Sequence, residues 1–324
     1  MKKHFLFLAM AVAAMTSCMK DEVIATYEPT PQAIGFESFV NKATKAVTPT
    51  TVTDLKTFYV YGYYGTDTQV FNWDNVDLTG SAWIYDDADT DLKYWGAGNT
   101  YEFAAYANGN NGEALPAGST AEYAGKTLTI SDYTVNDEND LVAAYATKTI
   151  ANDLTGIDKV DFTFSHLLTK IQFIVTNLDA NYTVRITDLV VKAYKKGDYV
   201  STTGWSSDAT DPIPSFTPIA TQELAVKNAA GSSVTSAEFF VLPQALSTVT
   251  YSMNATFYDS ADNVVDILPL SGSIGTDKDA NVTDAWAPGM AYQYTIGLPS
   301  SAQPIEFGTI GVNGWPAYTP VILN

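Results

Sequence analysis

Residues 160–176 read Val-Asp-Phe-Thr-Phe-Ser-His-Leu-Leu-Thr-Lys-Ile-Gln-Phe-Ile-Val-Thr. Apolar and polar side chains alternate through Val160–Phe164 and again through Lys170–Thr176, which is the two-residue repeat of a β-strand. Ile174 interrupts the polar face of the second run, so both faces of that strand are expected to be covered. The stretch therefore predicts two consecutive strands joined by a short link.

Comparable runs recur along the chain, separated by Gly, Asn and Asp turns and with little helical periodicity, so the sequence predicts an all-β sandwich protein with little helix. A length of 324 residues exceeds the usual size of one domain. We therefore expect two tandem sandwiches, at 32–165 and 166–324, with a long loop over 201–218. The strand candidates are Leu55–Tyr64, Val70–Trp73, Tyr101–Ala107, Lys126–Ile130, Leu141–Ala146, Val160–Phe164, Lys170–Thr176, Tyr182–Tyr194, Ala237–Leu242, Val249–Tyr258, Val264–Leu270, Tyr292–Ile296 and Ile305–Val312.

Composition excludes several functions. Lys and Arg number 17 against 36 Asp and Glu, a net charge of −19, so nucleic acid is not an expected partner. One cysteine and two histidines are too few for a zinc cluster, a cysteine–histidine catalytic pair or a disulfide framework. We predict no catalytic residues, no metal site and no cofactor, and we interpret His166 as a structural turn residue.

One acidic segment partly matches the pattern of a calcium-binding loop. Asp87-x-Asp89-x-Asp91 matches the first ligands of a calcium loop, but the sixth position is Leu92 and the twelfth is Gly98. A calcium loop takes glycine and glutamate at those two positions. We interpret the segment as a solvated acidic loop.

The N-terminus has the pattern of an exported lipoprotein. A basic start and ten apolar residues, too few to span a bilayer, precede the sequence Met15-Thr16-Ser17-Cys18. This resembles a lipobox, with cleavage between Ser17 and Cys18 and acylation, such as palmitate, on Cys18. Residues 1–17 are then the signal peptide and 18–31 a tether to the outer membrane. An ordinary secretory signal with an incidental cysteine is the alternative.

Several segments, taken in order, resemble the fimbrillin (Mfa-like) family, the subunits of type V pili. The likeness runs over most of the chain that follows Cys18, and it rests on the order and spacing of its pieces. They are Ile34-Gly35-Phe36, Asn41–Ala46, Leu55–Tyr63, Trp83, Lys93-Tyr94-Trp95, Tyr101–Ala107, Phe164–Phe173 and Tyr292–Ile296.

The resemblance implies two transthyretin-like β-sandwich domains, no enzymatic activity and assembly by strand exchange. A protease removes the first strand, about 32–45, which contains Ile34 and Phe36, and the vacated groove accepts a strand from another subunit. The family's cleavage stretch corresponds here to Thr44-Lys45-Ala46, with cleavage between Lys45 and Ala46.

The last strand candidate is the predicted donor. Its apolar residues are Ile305, Phe307, Ile310 and Val312, and the alternation requires a one-residue shift before Ile310. A terminal strand of the chain's own second domain is an equal alternative. Pro304 favours an extended entry into this segment.

Two functions follow from these observations. The first is a structural subunit or tip adhesin of a fimbrium at the cell surface, with other fimbrial subunits, the lipid anchor and a host protein or glycan receptor as partners. The second is a surface glycan-binding lipoprotein that does not polymerise, which the abundant tyrosine and tryptophan favour.

Overall fold

A computed structural model describes residues 31–40, 55–85, 91–136, 139–177, 181–207, 215–224, 232–277, 284–298 and 306–312. Strands dominate these residues, and the helical segments among them are a short 3₁₀ turn and one helix, α1, of four residues. Within the same residues no helix is both long and apolar enough to cross a membrane. The all-β prediction is confirmed.

The first part of the chain forms a closed barrel of seven strands in the order β1-β4-β3-β2-β5-β8-β9. All neighbours are antiparallel except β1 and β9, which run parallel. The bounds are β1 Phe36–Val40, β2 Thr57–Tyr64, β3 Thr68–Thr79, β4 Ala82–Ile84, β5 Thr100–Asn108, β8 Leu141–Thr149 and β9 Val160–His166.

A four-stranded sheet, in the order β13-β12-β7-β6, covers one outer face of the barrel. The predicted domain boundary lies at residue 165. The hairpin of β12 and β13 comes after this boundary in the sequence, but β12 pairs with β7, which comes before it. The bounds are β6 Thr120–Ala124, β7 Thr127–Thr134, β12 Lys196–Val200 and β13 Gly204–Ser207.

The remaining strands form two sheets that share one apolar core, as in a sandwich. One has the order β15-β10-β19-β20, with β16 also paired to β10; the other has the order β14-β11-β17-β18. The bounds are β10 Thr169–Asn177, β11 Thr183–Lys192, β14 Ser215–Leu224, β15 Ser232–Thr235, β16 Phe239–Val241, the 3₁₀ turn Leu246–Thr248, β17 Thr250–Tyr258, β18 Val264–Ser273, α1 Ile274–Asp277, β19 Ala291–Leu298 and β20 Glu306–Val312.

The loop predicted over 201–218 is wrong in part. Gly204–Ser207 forms β13, and β14 begins at Ser215. The polar composition suggested a loop, but pairing with β12 supplies the hydrogen bonds that make 204–207 a strand.

Strand β5 shows why the barrel sequences are apolar on both faces. Phe103 and Ala105 point into the barrel, whereas Ala104 and Tyr106 pack against the covering sheet. All four are buried. The strand is therefore enclosed by one core on each side, and the division into two tandem units remains a prediction.

Candidate functional site

The segment we call the leading ribbon, residues 31–40, lies between two parts of the barrel wall. On one side the Ile34 N–H donates to the Lys93 carbonyl (2.8 Å) and the Trp95 N–H donates to the Gln32 carbonyl (3.0 Å). On the other side the Val160 N–H donates to the Gly35 carbonyl (2.8 Å). The ribbon is therefore held along both of its edges.

The side chain of Gln32 fastens the start of the ribbon. Its Nε2 donates to the Ile157 carbonyl (2.5 Å), and its Oε1 accepts from the Ile157 N–H (3.2 Å). Both ends of the amide are thus satisfied by one backbone residue, which aligns the ribbon with the entrance to β9. No local sequence pattern indicates this contact, because the partner is 125 residues away.

Strand β1 closes the barrel. It pairs in parallel with β9 through five consecutive residues, from Phe36 opposite Val160 to Val40 opposite Phe164. It meets β4 where Phe36 lies opposite Trp83. Removing β1 would leave β4 and β9 as two edge strands, each with one unpaired edge facing the vacated position, and such edges template pairing with another chain.

Phe36 is the centre of the aromatic core inside the barrel. Its side chain is fully buried, and Ile34 is 1% exposed. The Phe36 ring centroid lies 5.2 Å from Phe71, 5.7 Å from Phe162 and 6.0 Å from Phe103. Both residues of the predicted displaced strand therefore lie in the core, where each contributes about 1.5–3 kcal/mol by burial.

The solvent-facing side chains of the ribbon contribute little to the free energy that holds it in the barrel. Glu37 forms an ion pair with Lys159 (3.4 Å), and about half of each side chain is exposed. Exposed pairs of this kind contribute about 0–1 kcal/mol. The apolar residues therefore hold the ribbon in place.

The predicted donor strand is an edge strand of its own chain. β20 pairs antiparallel with β19, from position 306 opposite Gly297 to position 312 opposite Ala291. This pairing runs without the shift predicted before Ile310, so Phe307 and Ile310 fall in opposite phases of the two-residue repeat, with Val312 in the phase of Ile310. Ile305 lies outside the described residues.

Other predicted sites also lie outside the described residues. These are the signal cleavage site at Ser17 and Cys18, the lipidation site Cys18, the proteolytic site Lys45–Ala46 and the acidic segment through residue 90. The described chain resumes at Asp91, which pairs with Lys93.

His166 lies in a largely buried position and forms a hydrogen bond with a carboxylate. Its Nδ1 bonds the carboxylate of Asp140, rather than the backbone as its position between two strands suggested, and both side chains are largely buried. Burial, and then the Asp140 charge, raise the pKa of the neighbouring Tyr133. The Leu167 N–H donates to the Leu141 carbonyl (2.8 Å), so the pair lies where the chain leaves the barrel. The described residues hold no cluster of three or more metal-binding side chains.

Three tryptophans in the first part of the chain, Trp73, Trp83 and Trp95, differ in their exposure to solvent. Trp95 is buried, Trp83 is half-buried against the barrel core, and Trp73 is 56% exposed. Only the structure separates them, because the sequence gives all three similar aromatic surroundings.

These features define the class of protein: an all-β protein in which, among the described residues, the first strand completes a barrel and the last strand lies at the edge of its sheet. The fimbrillin-like family model matches residues 44–315, and the chain belongs to this family. No curated protein matches.

Two of the solved structures that are similar to this chain are fimbrial proteins. A fimbrial protein from Bacteroides vulgatus is similar with a TM-score of 0.60 and 16% identity, over 88% of this chain and all of that one. The fimbrial anchor protein Mfa2 from Porphyromonas gingivalis is similar with a TM-score of 0.39 and 13% identity, over 91% of this chain and all of that one.

Proposed function

We propose that this chain is a structural subunit or tip adhesin of a cell-surface fimbria, exported as a lipoprotein and assembled by donor-strand exchange. Family membership supports the fimbrial role. The observation that supports the mechanism is the leading ribbon, because one short segment both closes the barrel and places Phe36 in its core.

The first step is cleavage between Lys45 and Ala46. The ribbon ends at Val40, so this bond follows it by a few residues of sequence. Cleavage alone leaves the ribbon bound, because Ile34 and Phe36 together contribute about 3–6 kcal/mol by burial. The ribbon then dissociates slowly or is displaced by an incoming strand.

The incoming strand takes the place of β1. In that position it runs parallel to β9 and antiparallel to β4, and it replaces the backbone hydrogen bonds of the ribbon. It also has to supply a large apolar side chain where Phe36 was, because an unfilled site of that size is costly.

The donor is β20 of another subunit. An edge strand has one neighbour in its own sheet, so it can leave without breaking a second ladder. Its apolar residues form two sets, Ile305 with Phe307 and Ile310 with Val312, in opposite phases of the repeat, so a regular inserted strand directs one of the two sets into the groove. Other fimbrial subunits are therefore the expected partners.

Controlled cleavage of the purified full chain tests this mechanism. A recognition sequence for a highly specific protease is inserted between Lys45 and Ala46, because exposed lysines such as Lys126 would also be cut by a lysine-specific enzyme. We expect a ladder of SDS-resistant oligomers and fibres in negative-stain microscopy. A scrambled insert is the control. Cut protein that releases the ribbon and stays monomeric would contradict strand exchange.

The export step has a separate test in cells. Lipidation at Cys18 anchors the precursor, so metabolic palmitate labelling is expected for the natural chain and lost in Cys18→Ala. Retention of the label in Cys18→Ala would contradict the lipoprotein proposal and leave the assembly experiment unaffected.

A surface glycan-binding lipoprotein that does not polymerise is the second candidate. The exposed tryptophan at position 73 favours it. In that case the cleaved chain stays monomeric and still binds a glycan.

A further inference from the structure

Trp73 has an uncommon backbone conformation. It is the extra residue of a β-bulge in β3, between Asp74 opposite Val60 and Asn72 opposite Tyr61. Its φ is +62°, in the left-handed region that bulky L-residues rarely adopt. Such a conformation persists only when its surroundings hold it, and it is more frequent at functional sites.

The indole ring is fixed in place although it is exposed. Nε1 of Trp73 donates to the hydroxyl of Tyr106 (2.7 Å), which is itself buried. The ring of Tyr59 packs beside it, with centroids 5.3 Å apart and planes inclined by 32°. More than half of Trp73 remains accessible to solvent. The fold therefore presents a rigid aromatic surface at the outside of the barrel.

Amide side chains flank this surface. Asn72 and Asn75 are both exposed, and by register they lie opposite Tyr61 and Tyr59 on the outer face of the sheet. Asn75 is held by a hydrogen bond from its Nδ2 to Asp77 Oδ2 (2.7 Å). We call Trp73, Tyr59, Asn72 and Asn75 the indole platform.

We propose that the indole platform binds a neutral hexopyranose unit of a glycan. The C–H face of a pyranose ring stacks on an aromatic face through apolar contact and weak C–H···π interactions. Its hydroxyl groups are donors and acceptors within reach of amides such as Asn72 and Asn75, which offer both functions.

The local charge selects a neutral sugar. Asp74 adjoins Trp73 in sequence and accepts a hydrogen bond from the Asn72 N–H (2.6 Å). Asp77 is hydrogen-bonded to the platform, and the chain as a whole carries −19. Sialylated or sulfated sugars would be repelled.

The shape of the surface distinguishes a sugar from an organic cation. Quaternary ammonium groups are bound by cages of several aromatic rings. Trp73 has the inclined ring of Tyr59 beside it and more than half of its area exposed to solvent, so the planar indole forms an open surface and not a cage. A planar surface matches the face of a sugar ring.

The full chain is tested on an array of neutral and anionic glycans, and hits are titrated by saturation-transfer NMR, with choline chloride as the competing cation. We expect saturable binding of neutral hexopyranosides, with dissociation constants of about millimolar. Trp73→Ala should weaken binding by about tenfold or more, corresponding to the contribution of one aromatic contact. Asn72→Ala and Asn75→Ala should weaken it by less.

Trp73→Gly separates binding from folding. Glycine adopts a positive φ without steric cost, which offsets part of the loss of the hydrogen bond to Tyr106, so this variant should keep the far-UV circular dichroism spectrum of the natural chain while losing sugar binding. Ile267→Ala, at an exposed apolar residue on β18, is the control and should bind like the natural chain. Binding that is unchanged in Trp73→Gly, no binding of any neutral glycan, or preferential binding of choline would each overturn the proposal. None of these results bears on strand exchange, since Trp73 lies outside the leading ribbon.

Discussion

The two terminal strands of the described chain occupy opposite kinds of position. β1 lies between β4 and β9, closes the barrel and has Phe36 buried among aromatic rings. β20 lies at the edge of its sheet and pairs with β19 alone. A strand with two neighbours and a buried side chain stabilises the fold, whereas an edge strand with one neighbour opens more easily.

This difference gives the two strands different roles in the proposed assembly. Loss of β1 opens a long apolar position that only another strand can fill. Release of β20 leaves β19 as the new edge and frees a segment that can pair elsewhere. The asymmetry is what a chain needs in order to act as acceptor at one end and donor at the other.

The largest expected effect is that of Phe36→Ala. Removing this ring should lower the free energy of unfolding by about 3–5 kcal/mol, because it leaves a cavity among rigid aromatic neighbours. Urea unfolding of the full chain measures it, with Phe257→Ala, fully buried on β17, as the matched control. A loss below about 1 kcal/mol would show that the ribbon is not part of the core.

Hydrogen exchange tests the comparison directly. Backbone amides of β20 should exchange at least about tenfold faster than those of β1, since opening an edge strand breaks a single ladder. Mass spectrometry of peptides covering 36–40 and 306–312 gives both rates in one experiment. Equal protection of the two segments would remove the proposed asymmetry.

The dependence of stability on alkaline pH tests the burial of Tyr61, which lies between the barrel and the covering sheet. Burial, followed by the charges of Tyr63 and Glu122, raises the pKa of Tyr61 to about 12. The folded state therefore favours the neutral phenol, so its stabilising contribution is complete below pH 10 and is lost as the pH rises towards 12. The natural chain should lose about 1–2 kcal/mol more than Tyr61→Phe over this interval.

Urea unfolding at pH 9, 10, 11 and 12 follows this loss. Tyr94→Phe is the control because Tyr94 is 48% exposed, and it should behave like the natural chain. If Tyr61→Phe loses stability in parallel with the natural chain, the phenol does not titrate as inferred.

The smallest expected effect is that of Lys159→Ala. This change removes the ion pair with Glu37 on the solvent side of the ribbon and should cost less than about 0.5 kcal/mol. A double-mutant cycle with Glu37→Ala isolates the pair. A coupling above about 1 kcal/mol would mean that charge, and not Phe36 alone, holds the ribbon.

Local sequence patterns predicted many of the strands, whereas β4, β6, β12 and β15 had no candidate run. The runs Tyr101–Ala107 and Lys170–Thr176 became β5 and β10 with small changes at their ends. The prediction failed at 204–207, where a polar segment is a strand because it pairs with β12. Period-two patterns report which faces are buried, and they say nothing about a strand that a neighbour stabilises through the backbone.

The candidate site was predicted only in part. Ile34 and Phe36 were expected in a first strand that a strand of another subunit replaces; the structure buries both side chains, and the displacement stays a prediction. That this strand runs parallel to β9, is fastened by Gln32 at Ile157 and closes a barrel depends on partners more than 100 residues away. No local pattern encodes such pairings.

The amino-acid sequence by itself determined that this protein is all-β, acidic and poor in cysteine and histidine, because composition and two-residue periodicity are local properties. Only the tertiary structure decided which strand closes the barrel, which one remains an edge and which tryptophan faces solvent. Those outcomes depend on contacts between distant segments, where packing selects one register among many that the same alternation allows.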